Sequence, residues 1–172
     1  MKTGKTKLMI ITALFTALTA VCTAFVSIPM PSITGGYIHF GDALVFLASA
    51  ILPTPYALFV GAIGSSLGDV ITQWYIYIPF TFIIKGTMTL FINSKGEKLV
   101  NLKNILGLIP CSLVIIGGYY LAEVIICQNF VAPIASIIGN VIQAVGSGII
   151  FVIFAFALDK LSFKNKVLKV TK

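Results

Sequence analysis

The sequence predicts an all-α integral membrane protein of six transmembrane helices with both termini on the inside. Three observations lead to this fold class. First, 58% of the 172 residues are hydrophobic and only 10% are charged, whereas soluble domains average about 25% charged residues. Second, the apolar residues fall into six segments separated by turns rich in Pro, Gly and polar residues. Third, nearly all lysines lie on one side of the membrane that these segments predict.

The six segments are assigned from length and hydropathy, since about 20 helical residues cross the hydrocarbon core of a bilayer. The first segment follows lysines in the manner of a signal peptide, but five more apolar segments follow, so we interpret it as a retained span. The second is short, although residues 38–41 can extend it. We expect one transmembrane domain over residues 1–172, with helices at about 8–28, 42–52, 56–72, 78–92, 104–126 and 133–158.

The charge distribution orients these helices. All twelve basic residues are lysines, and eleven of them lie in stretches that an N-in start places inside, while none lies in an outside loop. The twelfth, Lys85, lies within segment 4. This asymmetry predicts that both termini are inside. The net charge of +7 therefore reflects membrane orientation, and no nucleic-acid partner is expected, because the chain has no basic surface helix or binding motif.

Polar side chains of the apolar segments gather in the outer half of the membrane. Ionisable residues there are costly and commonly functional, and several on different helices favour a pocket for a small, flat, polar ligand. We interpret Asp69 and Lys85 as a mutually neutralising pair at or below this outward-facing pocket. The candidate ligand-binding residues are His39, Asp42, Asp69, Trp74, Tyr77, Lys85, Tyr119, Glu123, Asn140 and Gln143.

Each of these residues also has a purely structural explanation. Asp42 can cap the second helix, and Trp74 and Tyr77 can belong to an interfacial aromatic belt. Asp69 and Lys85 can form an ion pair with no role beyond stability. The convergence of several polar groups at one depth favours the binding site over these separate explanations.

Small residues indicate where helices pack closely. Segment 3 contains a GxxxG pattern at Gly64 and Gly68, which favours close helix packing within the chain. Segment 1 contains Ala13 and Ala17 in its inner half, near the basic terminus. There they can form a docking surface for a partner protein.

Catalytic and metal-binding chemistry finds little support in the sequence. Cys22, Cys111 and Cys127 are far apart and odd in number, so neither a disulfide framework nor a metal site is expected. The chain has one His and no His-Glu-x-x-His motif, serine nucleophile elbow or nucleotide-binding Gly-rich loop. We therefore expect a protein that is not an enzyme and has no cofactor. A stand-alone secondary carrier using Asp69 and Lys85 as a proton-coupled pair remains an alternative.

One region resembles a known family. The stretch "GGYIHFGDALVFLASAILPTPYALFVGAIGSSLGDV", followed by "YIYIPFTFIIKGTMTLF", resembles the substrate-binding S components of energy-coupling factor (ECF) vitamin transporters. The similarity is to the riboflavin-type branch, which includes carriers for hydroxymethylpyrimidine and vitamin B6. The matching positions are Tyr37, Ile38, Gly41, Asp42, Gly61, Gly64, Asp69, Ile84, Lys85 and Gly86.

The resemblance implies a non-catalytic, high-affinity vitamin-binding subunit in a prokaryotic plasma membrane. It adds Tyr37 to the candidate ligand-binding residues. It also implies a transmembrane T component, contacted through Ala13 and Ala17, and two cytoplasmic ATPases as partners, with delivery by reorientation in the membrane. His39 stands where the family often has Asn, and riboflavin, hydroxymethylpyrimidine and the B6 vitamers all remain candidate ligands.

Overall fold

In the computed structural model, which describes residues 2–29 and 37–168, the chain is mostly helical. Two short strands, β1 (Ser27–Pro29) and β2 (Tyr37–His39), follow the first helix. The third helix is continuous over 54–71 but includes a π-helical stretch. The helices are α1 (Lys2–Phe25), α2 (Gly41–Ile51), α3 (Thr54–Phe59, Val60–Gly64 as the π-helix, and Ser65–Ile71), α4 (Ile78–Met88), α5 (Leu102–Cys127), α6 (Ile134–Lys160) and α7 (Phe163–Leu168).

Three helices within the described residues are long and apolar enough to cross a membrane. These stretches are Gly4–Phe25 in α1, and the whole of α5 and α6. The buried share of their most apolar windows is only 22% to 33%, so much of their apolar surface faces outward. In water such a surface would be unfavourable, but against lipid tails it is the expected one.

Local sequence explains where several helices begin and end. Leu52, the residue that follows α2, is extended (ψ 149°) because it precedes Pro53. Pro79 lies in the first turn of α4, where a missing N–H costs nothing. The side chain of Asn101 caps α5 by accepting a hydrogen bond from the Asn104 N–H at 3.0 Å.

The first helix starts before the predicted segment 8–28 and ends three residues before its predicted end. It ends at Phe25, and the next residues form β1, which pairs antiparallel with β2. Ile28 precedes Pro29, which disfavours the helical conformation and favours an extended one. The Phe40 N–H also bonds to the Val26 carbonyl at 3.2 Å. We refer to the end of the molecule that carries this β-hairpin as the hairpin end, and to the opposite one as the lysine-rich end.

The helices pack in a closed ring in the spatial order α1, α2, α6, α5, α4, α3. The short helix α2 is the most enclosed, since all its residues except Leu44 are buried. Phe46 of α2 packs edge-to-face on Phe151 of α6, with ring centroids 5.9 Å apart. A polar side chain on α2 is therefore held inside the bundle, away from lipid.

The GxxxG pattern forms the seam between α1 and α3. A Cβ atom at Gly64 would lie 3.0 Å from both the Thr19 Cβ and the Thr16 carbonyl, and one at Gly68 would collide with the side chain of Thr23. The glycines thus let the two helices approach closely. Ala13 and Ala17, in contrast, are exposed on α1.

A buried lysine closes the lysine-rich end. The Lys164 Nζ donates to the carbonyls of Ala50 at 2.8 Å and of Ser94 and Gly96 at 2.6 Å each. The Ala50 carbonyl lies in the last turn of α2, where carbonyls lack helical partners and a cation is favoured. Lys164 therefore ties α7 both to the end of α2 and to the loop before α5.

Two further side chains hold the same loop. The carboxylate of Asp159 accepts hydrogen bonds from the backbone N–H groups of Leu99 at 2.8 Å and Val100 at 2.9 Å. The amide of Asn104 accepts from the Asn93 N–H and donates to the Leu99 carbonyl, both at 2.8 Å. We call Lys164, Asp159 and Asn104 the Lys164 cluster.

Candidate ligand-binding site

An ion pair lies at the centre of the polar residues near the hairpin end. Asp42, in the first turn of α2, pairs with Lys85 of α4, whose Nζ is 2.7 Å from each carboxylate oxygen. Both side chains are fully buried. The predicted pairing of Lys85 with Asp69 is therefore wrong. The prediction rested on depth in the membrane, which matched Lys85 to Asp69, whereas the enclosed position of α2 directs Asp42 towards α4.

Gln143 of α6 connects this ion pair to the hairpin. Its Nε2 donates to the Asp42 Oδ2 at 2.9 Å and to the His39 carbonyl at 2.8 Å. Its Oε1 accepts from the backbone N–H of His39 at 2.8 Å. One amide thus pairs with both backbone groups of a strand residue, much as a neighbouring strand would, and fixes β2 over the ion pair.

The ring of Tyr119 on α5 faces the ammonium group of Lys85. The Lys85 Nζ lies 5.1 Å from the centroid of its ring, within the range of a cation–π interaction. The Tyr119 hydroxyl is 3.2 Å from the Thr81 Oγ1. Lys85 is therefore stabilised by a carboxylate and an aromatic face together.

His39 is held as a neutral acceptor. Its Nδ1 accepts a hydrogen bond from the Gly41 N–H at 3.1 Å. Burial lowers the pKa of His39 to about 4, and the nearby Lys85 also lowers it, while Asp42 acts in the opposite direction. At neutral pH the imidazole is uncharged and adds no charge to the ion pair.

A stripe of polar residues on α6 extends the site towards the hairpin end. Ser136, Asn140, Gln143 and Ser147 recur at helical spacing on one face. The Ser136 Oγ donates to the buried Glu123 Oε2 at 2.6 Å. Between these groups, the Asn140 Nδ2 is buried and has no hydrogen-bond partner among the described residues. A buried donor in this state is costly and calls for an explanation, such as a ligand or an ordered water.

The other predicted residues lie towards the hairpin end of this arrangement. Asp69 is buried near the end of α3, and its carbonyl accepts from the Trp74 N–H at 2.8 Å. The rings of Trp74 and Tyr77 meet edge-to-face with centroids 5.8 Å apart. Tyr37 belongs to β2, but its side chain lies outside what the structure describes.

The structure thus joins five predicted residues by direct contacts. Asn140 adjoins them on α6, whereas Glu123 forms a separate contact with Ser136. Sequence reasoning missed Ser136, Ser147 and Thr81, although the spacing of the two serines with Asn140 and Gln143 was a usable signal. Within the described part of the chain, no three His, Cys, Asp or Glu side chains are grouped to hold a metal ion. The five joined residues are His39, Asp42, Lys85, Tyr119 and Gln143.

Comparison with known proteins assigns the chain to a family. Residues 3–160 match the model of the ECF-type riboflavin transporter S component. The chain belongs to the S-component family of ECF-type riboflavin transporters. It is also 32% identical over 133 residues to a Pyrococcus woesei protein described as "Uncharacterized protein in gap 3'region", a match that covers 76% of this chain and 86% of the relative.

An S component is the substrate-binding membrane subunit of a vitamin transporter, so the chain is a membrane protein that acts in transport. The family also accounts for the apolar surfaces of α1, α5 and α6. The matched residues include His39, Asp42, Lys85, Tyr119 and Gln143, which we call the buried polar network.

Proposed function

We propose that this S component binds a water-soluble vitamin or vitamin precursor from outside the cell and delivers it through an ECF-type importer. The ligand belongs to the class formed by vitamin B6, hydroxymethylpyrimidine and riboflavin. The site lies around the predicted residues near the hairpin end, above the Asp42–Lys85 pair. The subunit itself carries out no catalysis, and ATP is hydrolysed by separate subunits.

The buried polar network is the observation that carries this proposal. Two full charges inside a lipid-embedded bundle cost several kcal/mol each to desolvate, and replacing such pairs by apolar residues is often neutral or stabilising. A buried ion pair is therefore weak evidence for stability and better evidence for a functional role. A donor left open on Asn140 beside an aromatic wall at Tyr119 suits a flat, polar molecule.

The membrane arrangement follows from the lysines. Six helices, α1 to α6, span or enter the membrane, with both termini and the lysine-rich end inside the cell. In this orientation, the hairpin end and the candidate site face outward. The family assignment supports this arrangement, and α2, α3 and α4 supply the three segments beyond the long helices α1, α5 and α6.

The partners are a T component in the membrane and two cytoplasmic ATPases. Ala13 and Ala17 are exposed on α1, and small residues permit close contact with a partner helix. Replacement of either by Leu should leave vitamin binding intact and abolish uptake. Ala157→Leu, at an exposed alanine of α6 near the same end, is the matched control. Loss of vitamin binding in the α1 variants would contradict this assignment.

Native mass spectrometry of protein purified from cells grown in rich medium tests the proposed function. We expect one vitamin-sized molecule per chain, displaced by an excess of the same pure compound. Uptake into liposomes should then require the T component and the ATPases. An empty protein that transports a solute by itself would instead support a secondary carrier.

A further inference from the structure

A concave surface lies between α5 and α6, away from the buried polar network. It is a groove of about 400 Å³ that opens to the surroundings of the bundle. Its walls are ten residues, among them Ile105, Leu108 and Ser112 of α5 and Gly148 and Ile149 of α6. It lies in the half of the molecule near the lysine-rich end, since α5 starts and α6 ends there.

The lining defines what the groove can hold. Ser112 is its one hydroxyl-bearing residue, and the Ser112 Oγ already donates to the Leu108 carbonyl at 2.8 Å. Every other lining residue is an aliphatic side chain or Gly148. An occupant would therefore find no free hydrogen-bonding side chain and must itself be apolar over this length.

A cation lies beyond the end of the groove. Lys160 is two helical turns, about 10 Å, beyond the lining residue Ile153 on the same face of α6. Its Nζ lies 4.6 Å from the Phe156 ring centroid, so its stem is folded back along the helix towards the groove. The adjacent Asp159 carboxylate is engaged by the N–H groups of Leu99 and Val100. Lys160 is exposed and available to an anion.

From this geometry we propose that the groove holds one acyl chain of an anionic phospholipid whose phosphate contacts Lys160. An apolar groove that continues to an exposed cation matches the order of chemical groups along such a lipid. In the orientation proposed above, the site faces the cytoplasmic leaflet, which carries anionic lipids, and basic sites on that side bind their head groups. The lipid site is separate from the vitamin site and is independent of the vitamin's identity.

Two variants on α6 form a matched test. A Cβ at Gly148 would lie 3.6 Å from Leu108 Cδ1 across the groove, so Gly148→Leu fills it, whereas Gly146 has open space around it and does not line the groove. Each protein is placed in nanodiscs of phosphatidylcholine and phosphatidylglycerol in equal parts, released, and examined by native mass spectrometry. Vitamin binding is measured on the same samples.

We expect one retained phosphatidylglycerol for the wild type and for Gly146→Leu, and loss of the retained lipid for Gly148→Leu with vitamin binding unchanged. Lys160→Gln should keep a lipid but lose the preference for phosphatidylglycerol. If Gly148→Leu does not fold, Ser112→Leu fills the groove from the other wall.

Equal lipid retention in Gly148→Leu and Gly146→Leu would overturn the proposal. If retention were equal while Gly148→Leu failed to assemble with the T component, the groove would hold a partner helix instead. An unchanged lipid preference in Lys160→Gln would overturn the phosphate contact.

Discussion

The two ends of the molecule each bury a lysine, but they do so in different ways. Lys85, near the hairpin end, meets a carboxylate and an aromatic ring. Lys164, at the lysine-rich end, meets three backbone carbonyls. The first arrangement gathers side chains from α2, α4 and α5, whereas the second fixes backbone segments in place. The first cluster thus organises the candidate site, whereas the second stabilises the fold.

The two ends also differ in unused hydrogen-bonding capacity. Within the described residues, no side-chain atom of the Lys164 cluster is buried without a partner. Near the hairpin end, Asn140 Nδ2 and the hydroxyls of Thr19 and Thr23 are in that state. Unsatisfied buried groups are rare in stable cores. Their position near the hairpin end is consistent with the proposed binding site there.

The largest expected effect is on the ion pair. Lys85→Met should lower the free energy of unfolding by about 3 to 5 kcal/mol, because it leaves the Asp42 carboxylate buried and uncompensated. Adding Asp42→Asn should recover much of this loss. The measurement is chemical or thermal unfolding of the purified protein in detergent.

A second double variant tests which acid pairs with Lys85. Asp69→Asn added to Lys85→Met should give no comparable recovery, since Asp42 remains charged. Recovery by Asp69→Asn, and not by Asp42→Asn, would show that the ion pair is assigned to the wrong acid.

A smaller effect is expected at the opposite end. Lys164→Met removes three hydrogen bonds and leaves carbonyl groups that water can partly reach, which should cost about 1 to 3 kcal/mol of unfolding free energy. Vitamin affinity should stay unchanged, because the cluster lies at the other end of the bundle. A large loss of affinity at full folding would contradict the structural role of this cluster.

A further expected effect on stability is a pH dependence. The folded-state pKa of His39 is about 4 and the ordinary value is 6.5. Between these values the unfolded chain binds a proton that the folded chain does not, so stability should fall as pH decreases from about 6.5 towards 4. His39→Asn retains an acceptor for the Gly41 N–H and should flatten this part of the melting-temperature profile. An identical profile in the variant would exclude His39 as its source.

The sequence predicted the helical class and the clustering of polar groups, but only part of their geometry. Hydropathy gives the position of a residue along a helix axis. It does not give the direction in which the side chain faces, and this is why Lys85 was assigned to Asp69 and not to Asp42. The helical spacing of Ser136, Asn140 and Gln143 does give a direction, and the structure places the polar stripe of α6 accordingly.

Two features had no local signal. The strands of the hairpin have three residues each, too few for an alternating pattern to stand out. Lys164 looked like one more lysine of an inside tail, yet it is buried, because its partners come from α2 and from the loop before α5. Contacts between distant parts of the chain decide such positions, and composition does not reveal them.

The most direct test of the account compares two asparagines. Asn140 has an open donor near the hairpin end, whereas both the nitrogen and the oxygen of the Asn104 amide are hydrogen-bonded at the lysine-rich end. We would titrate the co-purified vitamin into the wild type, Asn140→Ala and Asn104→Ala, and measure the melting temperature of each without ligand.

We predict that Asn140→Ala weakens vitamin binding by about 1 to 3 kcal/mol and leaves the melting temperature unchanged. Asn104→Ala should instead lower the melting temperature and leave the vitamin affinity unchanged. Unchanged affinity in a folded Asn140→Ala protein, together with weaker binding in Asn104→Ala, would contradict the placement of the site near the hairpin end.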